Sequence, residues 1–174
     1  MSLISPKVAI EKGWIKGIEN PEKQIQPNAL DFTIDNLFKI DEDKPFIISE
    51  ESKTMRGGDK VDPVEGYWEL DGHSVYDGLS NIYVDLPEGV ACKLIVRSTF
   101  NRNGVFLTSG LYDSGYKGSI GFAIHNRSGK AFIAPGTRVG QIEFYSSDKN
   151  GKYEGGWNHE EGTHWSESEN GEQE

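Results

Sequence analysis

Short runs of apolar, β-branched and aromatic residues, many of them alternating with polar residues, recur along most of the chain. A period of two is typical of β-strands that bury one face. The clearest such runs are residues 46–48, 67–70, 81–84, 92–96 and 138–144. The 21 glycines separate the runs at close intervals, which indicates tight turns rather than a βαβ sheet. The pattern predicts an all-β domain, a sandwich, jelly roll or distorted barrel.

The N-terminal segment, residues 4–18, has a different period. Ser5 is a suitable helix N-cap and Pro6 suits a first turn. Ala9, Ile10 and Trp14 follow at roughly helical spacing. We therefore expect one short N-terminal helix before the strands.

The composition changes after Tyr145. Residues 146–174 contain eight Asp or Glu residues and few aliphatic ones, which is too little apolar surface to fold alone. We therefore expect a β-domain over residues 1–145 and a flexible acidic arm over residues 146–174. Tyr153, Trp157 and Trp165 are separated by glycines in the arm. A solvated C-terminus and an arm that docks on the domain are both compatible with this composition.

Charge and cysteine content narrow the possible partners. The formal net charge of -10 has the wrong sign for a protein that holds a nucleic acid polymer by neutralising phosphates. A small polyanion can still bind where a few cationic groups, backbone amides and a divalent cation converge. Cys92 is the single cysteine, no signal-peptide pattern opens the chain, and no run approaches the ~20 apolar residues of a membrane helix. We expect a cytoplasmic protein without membrane contact.

Two turn-rich clusters lie between residues 96 and 145. In the first, Arg97, Ser98, Thr99 and Arg102 present guanidinium and hydroxyl donors, which suit phosphate oxygens. Taken singly, each residue has an ordinary explanation in surface pairing or turn capping.

The second cluster, residues 110–118, is framed by glycines and contains Asp113 and Tyr116. A carboxylate can accept a proton from water, and a flat ring can lie against a sugar. Residues 159–164, HEEGTH, are not a zinc motif, because the two histidines are one residue further apart than in HExxH. The single cysteine also excludes a zinc deaminase.

Together these segments resemble motifs of the dUTPase/dCTP deaminase superfamily. Residues 97–99 are similar to the RSG or RSS of the second dUTPase motif, and residues 110–120 to the GxIDxxYxGxI of the third. Residues 135–141 match the fourth, PGxRIxQ, with Asn126 at the usual asparagine before it. Residues 25–32 look like the IQPxSLDL start of dCTP deaminases, whose RSSLxR also resembles the spacing from Arg97 to Arg102.

The resemblance implies a homotrimer of distorted β-barrels or jelly rolls of the dUTPase type, with active sites between subunits. It implies that Asp113 activates the water, with Arg102 as a second catalytic residue, and that Tyr116 lies under the deoxyribose of a deoxynucleoside triphosphate. Mg²⁺ would be held through the substrate phosphates and not by protein side chains. The other residues that would bind or support the substrate are Asp31, Arg97, Ser98, Thr99, Gln141 and Lys152.

The resemblance also bears on the reaction. The deaminase branch carries a proton-shuttling glutamate where this chain has Ala123, and an alanine cannot move a proton. We therefore expect a diphosphatase that converts dUTP to dUMP and pyrophosphate. The alternatives are a dCTP deaminase-like enzyme, a diphosphatase of another deoxynucleotide, and a non-catalytic trimeric β-domain that binds nucleotide or builds a virion.

The base pocket departs from the dUTPase pattern. Leu107 falls near the position of the uracil-reading asparagine, with Gly110 close by. The usual glycine-rich C-terminal motif is missing, and residues 151–157 instead resemble the KYQGQ element of the deaminases. We expect Lys152 to contact phosphate and His164 or Trp165 to cover the base.

Overall fold

The computed structural model describes residues 2–149 and 151–159. Within these residues the chain forms thirteen strands and three short helices. In chain order they are β1 (Leu3–Ile4), α1 (Pro6–Glu11), β2 (Ile15–Lys16), α2 (Pro21–Gln24), β3 (Leu30–Ile40), β4 (Ile47–Ile48), β5 (Lys53–Thr54), β6 (Gly58–Lys60), β7 (Trp68–Leu70), β8 (Ser74–Asp85), β9 (Val90–Val96), α3 (Ser98–Arg102), β10 (Val105–Thr108), β11 (Lys117–Asn126), β12 (Ala131–Ile133) and β13 (Arg138–Ser146).

One large antiparallel sheet dominates the molecule. Its strand order is β1-β13-β3-β8-β11-β10, and β9, β2 and β6 pair with β13, β8 and β3 respectively. The sheet curls into a half-barrel, and two small two-stranded sheets, β12-β7 and β4-β5, complete the strands of the described part. The predicted all-β class is therefore confirmed.

The curled sheet places its core on the inner face. Burial alternates along β11, where Ile120, Phe122 and Ile124 point inward and the residues between them are partly exposed. Phe32 of β3 and Phe144 of β13 are fully buried against the same core. Each such side chain contributes roughly 1.5–3 kcal/mol of burial free energy, so the core holds the strands that carry the candidate site in fixed register.

The N-terminal helix is present but shorter than predicted. It covers only Pro6–Glu11, because Gly13 adopts a left-handed conformation with φ of 73° and ends it. Trp14 therefore lies beyond the helix, and β2 follows directly and pairs with β8. The prediction of one short N-terminal helix is confirmed, but Trp14, expected at helical spacing, lies outside it.

Asn126 and Cys92 are two buried side chains that carry a polar group. Asn126, at the end of β11, donates from its amide nitrogen to the carbonyls of Leu70, Asp71 and Gly129. Cys92 is fully buried, and burial raises the pKa of its thiol. Across residues 2–149 and 151–159, no helix combines the length and the apolar character needed to cross a bilayer.

Candidate functional site

Asp31 lies in β3 and forms the centre of a buried cluster of charged and polar groups. Its side chain is 1% exposed, and both carboxylate oxygens are used. Arg138 Nη1 donates to Oδ2 over 2.8 Å, and Gln141 Nε2 donates to Oδ1 over 2.8 Å. Arg97 Nε lies 3.7 Å from Oδ2. The strand register causes this arrangement, because Gln141 of β13 pairs with Asp31.

The cluster fixes the orientation of two guanidinium groups. Arg97 Nη1 also donates to the backbone carbonyl of Arg138 over 3.0 Å. The Arg138 side chain in turn donates from Nη1 to the backbone carbonyl of Lys23 over 2.6 Å. Both arginine side chains remain about one-third exposed, at 32% and 29%. A guanidinium has five N–H donors, so donors remain for an anion outside the cluster.

Gln24, at the end of α2, supports this cluster although it belongs to no motif. It is 2% exposed, and its amide nitrogen donates to the backbone carbonyl of Asp31 over 3.1 Å. Its side-chain oxygen accepts from the backbone N–H groups of Glu19 and Asn20. A buried glutamine before a strand has no local motif and could be recognised only from the structure.

The predicted phosphate-binding residues Ser98, Thr99 and Arg102 lie on α3, which directly follows β9. All three are exposed, and among the described residues their side chains make no hydrogen bond or ion pair. The backbone N–H of Arg97 donates to the carbonyl of Val139, which holds the start of α3 beside the Asp31 cluster. These donors are therefore close to the oriented arginines and are available to a ligand.

Asp113 begins the second region, a tight turn before β11. Its carbonyl accepts from the N–H of Tyr116 over 3.0 Å, and Gly115 supplies the left-handed φ of 83° that the turn requires. Tyr112 anchors the turn through two backbone hydrogen bonds to Cys92, both 2.9 Å long. The Asp113 side chain is exposed and has no ionic or hydrogen-bonding partner within the described residues. Such a carboxylate can accept a proton from a water molecule.

Tyr116 ends the same turn and is nearly buried. Its hydroxyl donates to the carbonyl of Ser119 over 2.9 Å, and burial raises the pKa of the phenol. Its ring contacts Tyr112 and Tyr153, with ring centroids 5.1 and 5.8 Å away. In this arrangement Tyr153 covers the ring on which the sugar was expected to lie.

Part of the C-terminal arm packs against this turn and along β11, and the segment 151–159 makes several specific contacts. The N–H of Tyr153 donates to the carbonyl of Ser114 over 2.7 Å. The N–H of Ser119 donates to His159 Nε2 over 2.9 Å, and His159 Nδ1 lies 3.0 Å from the carbonyl oxygen of Trp157. Since that carbonyl can only accept, Nδ1 carries the proton and Nε2 accepts.

The backbone at this docking site leaves no room for larger residues. A Cβ atom added at Gly118 would lie 2.7 Å from the His159 ring, and one at Gly115 would lie 2.7 Å from Cβ of Lys152. Lys152 is therefore next to the Asp113 turn. His164 and Trp165 lie outside the described residues.

The two predicted base-pocket positions that the structure describes differ in environment. Leu107 is buried in β10 and packs in the core, whereas Gly110 is exposed with open space beside it. The core position of Leu107 removes its side chain from a surface pocket. No group of three or more His, Cys, Asp or Glu side chains suited to a metal ion occurs among residues 2–149 and 151–159.

The Asp31 cluster and the Asp113 turn do not meet within one chain. Tyr112 pairs with Cys92 near the beginning of β9, whereas Ser98 follows its end. Ser98 is six positions beyond Cys92, and the chain between them is the rest of β9 and the extended residue Arg97, which corresponds to roughly 20 Å. The predicted catalytic carboxylate and the predicted phosphate-binding residues therefore lie at opposite ends of this strand.

The chain is similar to nucleotide-metabolising proteins along most of its length. It is 30% identical over 135 residues to a probable deoxyuridine 5'-triphosphate nucleotidohydrolase of Methanopyrus kandleri, covering 77% of this chain and 87% of that protein. It is 31% identical over 150 residues to a dUMP-forming dCTP deaminase of Methanothermobacter thermautotrophicus, covering 78% and 73%.

Solved structures share the fold. A 2'-deoxycytidine 5'-triphosphate deaminase from Agrobacterium tumefaciens superposes with a TM-score of 0.65 at 15% identity, over 82% of this chain. The match spans about half, 48%, of that longer chain. A mutant dUTPase of Staphylococcus bacteriophage 80alpha, solved with dUpNHpp, gives 0.51 at 13% identity over 81% and 95% of the two chains. The dCTP deaminase-like family profile matches residues 6–147. The chain therefore belongs to the dCTP deaminase-like family, within the superfamily of dUTPases and dCTP deaminases.

Proposed function

We propose that this protein hydrolyses deoxynucleoside triphosphates, dUTP foremost, to the monophosphate and pyrophosphate. One observation carries the proposal: the anchored turn presents Asp113 as an exposed carboxylate, next to Tyr116, with no partner in the part of the chain that the structure describes. Asp31, by contrast, has both carboxylate oxygens occupied by hydrogen bonds from Arg138 and Gln141. The membership of a family of nucleotide-hydrolysing and deaminating enzymes supports the same assignment.

In this reaction Asp113 accepts a proton from the attacking water. The water oxygen forms a bond to the α-phosphorus, and the bond from that phosphorus to the oxygen bridging to the β-phosphorus breaks, so pyrophosphate leaves. Ser98, Arg102 and Gln141 donate to phosphate oxygens and hold the chain in line. Tyr116 supports the deoxyribose and leaves no space for a 2'-hydroxyl.

Mg²⁺ belongs to the proposal as a cofactor held through the substrate. The donor set fits this mode, because the described residues offer single carboxylates and no three-ligand group. When bound to the triphosphate oxygens, the ion neutralises charge and aligns the α-phosphorus. Protein side chains are then needed only to position the phosphates.

We propose that the active site forms between subunits of a homotrimer. The separation of roughly 20 Å along β9 supports this, since a catalytic turn at one end of the strand needs phosphate donors from another chain. Mixing two inactive variants tests it directly. Asp113→Asn and Arg102→Ala protomers, unfolded and refolded together, should regain pyrophosphate release, because some sites in mixed trimers combine an intact turn with an intact α3. Activity no higher than that of either variant alone would contradict a shared site.

The arm is assigned to closing the site. Lys152 lies beside the Asp113 turn, and the Tyr153 ring packs against that of Tyr116. The sugar must therefore displace the Tyr153 ring before it lies on Tyr116. The arm then covers the nucleotide and excludes water from the phosphate contacts.

A substrate panel tests the proposed reaction. The protein is incubated with Mg²⁺ and dUTP, dCTP, dTTP or dATP, and both pyrophosphate and ammonia are measured. We expect pyrophosphate release without ammonia, because Ala123 offers no group to move a proton at a base ring. Ammonia from dCTP would instead support a deaminase. Pyrophosphate release from none of the four nucleotides would leave a non-catalytic nucleotide-binding or structural β-domain as the better description.

A further inference from the structure

The first half of β11 has one backbone edge that the strands of the described residues leave open. β8 runs along the other edge, and β10 pairs only with the far end of the strand, residues 123–126. The arm covers the open edge with residues 158 and 159. Lys117 donates from its N–H to Asn158 Oδ1 over 2.9 Å, and its carbonyl accepts from the N–H of His159 over 3.0 Å. The arm therefore completes the hydrogen bonding of the strand that follows the candidate catalytic turn.

The ring of His159 can take part in this docking in only one protonation state. Its Nε2 lies 2.9 Å from the backbone nitrogen of Ser119, and its Nδ1 lies 3.0 Å from the carbonyl oxygen of Trp157. A backbone N–H can only donate and a carbonyl can only accept, so a neutral ring with its proton on Nδ1 satisfies both. A proton on Nε2 would point at the N–H of Ser119 and leave both donors without an acceptor. The docked arm therefore requires neutral His159.

The same ring lies beside Tyr116, on which the sugar is proposed to lie. A Cβ atom added at Gly118 would lie 2.6 Å from the Tyr116 hydroxyl and 2.7 Å from His159 Cε1, so both side chains pack on this glycine. The carbonyl of His159 also accepts from the Tyr83 hydroxyl over 3.0 Å. This attachment is separate from that of Tyr153, whose N–H donates to a carbonyl of the turn. The arm is therefore held at two points, one on the turn and one on β11.

We propose that His159 is a positioning residue: its neutral ring attaches the arm to β11, and protonation of the ring releases the arm from the candidate site. The inference rests on the proposed hydrolase function and adds a regulation of the same site. With His159 attached, Tyr153 can make way for the sugar while Lys152 stays within reach of the phosphates. Because release takes up one proton, the ratio of docked to released arm falls by up to about tenfold for each pH unit of acidification.

Among the described residues, the charged and titratable groups around the ring come from β2, β8 and the beginning of β11. They are Lys16, Tyr83, Asp85, Tyr116 and Lys117. None of these residue types ordinarily changes charge between about pH 5 and about pH 8, whereas histidine does. A response of the arm in this pH range therefore reports the His159 ring.

Hydrogen exchange tests the attachment without using activity. The N–H of Tyr153 reports on the whole arm, because it is bonded to the turn and not to the His159 ring. After correction for the intrinsic pH dependence of exchange, its protection should fall roughly tenfold between about pH 8 and about pH 5.5. His159→Gln should abolish this fall, since glutamine offers an acceptor oxygen near the position of Nε2 and does not titrate.

The kinetic experiment measures kcat/KM for pyrophosphate release from dUTP over the same pH range. The ratio of wild-type to His159→Gln values removes the titration of Asp113, which both proteins share. This ratio should fall roughly tenfold between about pH 8 and about pH 5.5, the loss expected when the arm no longer closes the site. His73→Asn is the matched control: His73 is an exposed histidine between β7 and β8 with φ of 60°, a conformation that asparagine tolerates. The ratio of wild-type to His73→Asn values should not change with pH.

The possible failures are distinguishable. If the wild-type protein hydrolyses no nucleotide, the proposed function itself is wrong. If dUTP is hydrolysed but the wild-type and His159→Gln proteins respond alike to pH in exchange or in kcat/KM, the hydrolase assignment stands and the role of His159 is refuted. Nitrogen chemical shifts give a test that needs no variant, because a His159 ring with its proton on Nε2 at about pH 8 would refute the attachment as well.

Discussion

Asp31 and Asp113 occupy opposite kinds of environment in the same molecule. The Asp31 carboxylate is buried, accepts hydrogen bonds on both oxygens and lies beside two guanidinium groups. The Asp113 carboxylate is exposed on a turn that is itself firmly held through Tyr112. Both oxygens of the Asp31 carboxylate accept hydrogen bonds from the fold, whereas the exposed Asp113 carboxylate is open to a ligand.

The two environments predict different roles: Asp31 positions the groups around it, and Asp113 takes part in the reaction. Removing a fully partnered buried acid leaves charges without compensation, so its loss is felt as instability. The Asp113 carboxylate has no partner among residues 2–149 and 151–159, so we expect its loss to affect the reaction and not the stability of the fold. We therefore expect the same substitution, aspartate to asparagine, to give opposite phenotypes at the two sites.

Asp113→Asn should produce the largest effect, a loss of roughly 10²–10⁴ in kcat, because the amide cannot accept the proton of water. The free energy of unfolding should stay within about 0.5 kcal/mol of the wild-type value. Rate measurements and urea denaturation check the two parts. Asp62→Asn, another exposed aspartate, is the control. A variant that keeps more than about a third of wild-type kcat would remove Asp113 from the role of base.

Asp31→Asn should lower the free energy of unfolding by about 3 kcal/mol. The asparagine oxygen can accept from only one of the two donors, Arg138 or Gln141. The NH₂ group of the same side chain then faces the other donor. This loss of stability is at the lower end of the range for a broken buried ion pair, because the side chains of Arg97 and Arg138 are partly exposed. Urea denaturation measures it, with Asp35→Asn on the same strand as the exposed control. Equal stabilities of the two variants would mean that the cluster does not hold the fold.

Asp77 lies between these extremes, and its effect on stability has the opposite sign. Its pKa is raised by burial from 3.8 to about 6, so the folded state disfavours the charged form. Stability from this group is therefore greatest below pH 4 and falls as the pH rises to about 6. Asp77→Asn should raise the free energy of unfolding at pH 7.5 by about 1–3 kcal/mol and change little at pH 4. Denaturation at both pH values checks this, and a variant less stable at pH 7.5 would indicate a hidden partner.

Truncation after Ser147 should have the smallest effect, a decrease in kcat/KM on the order of tenfold, or about 1.4 kcal/mol of transition-state stabilisation. The strands up to β13 remain, so we expect the fold and the assembly to persist. Lys152→Ala should cost less than the truncation, because it removes one contact and keeps the rest of the arm. Steady-state kinetics and light scattering provide the measurements. Higher kcat/KM in the truncated protein would show that the arm competes with the nucleotide.

Much of the fold could be predicted from local pattern. Strands were expected at 46–48, 67–70, 81–84, 92–96 and 138–144, and the structure has strands at each of these positions. The longest omission is β3, although Leu30, Phe32 and Ile34 alternate with polar residues along its first half, a pattern typical of a strand. What the alternation could not reveal is that Asp31 and Thr33, on its polar side, are buried as well. The helix α3 was read only as a turn-rich cluster, because a single helical turn shows no periodicity.

The site residues that belong to a sequence motif could be predicted, whereas those brought together by distant parts of the chain could not. Motif residues identified Asp31, Arg97 and Gln141, which the structure brings together. The coverage of Tyr116 by Tyr153 depends on an arm 37 residues further along the chain. Asp77 has no motif, and its partial burial in β8, which raises its pKa, could be recognised only from the structure. The roles of these residues in binding and catalysis stay predictions until the variants are measured.

Cys92, the single cysteine of the chain, offers a practical route to observing the arm. Its full burial and raised thiol pKa make it a poor target for alkylating reagents in the folded protein. A cysteine introduced at Gly156, where an added side chain meets no neighbour within 4 Å, can therefore be labelled selectively without first removing the native thiol. A fluorophore or spin label there would report in real time whether the arm leaves the tyrosine ring before or after a nucleotide arrives.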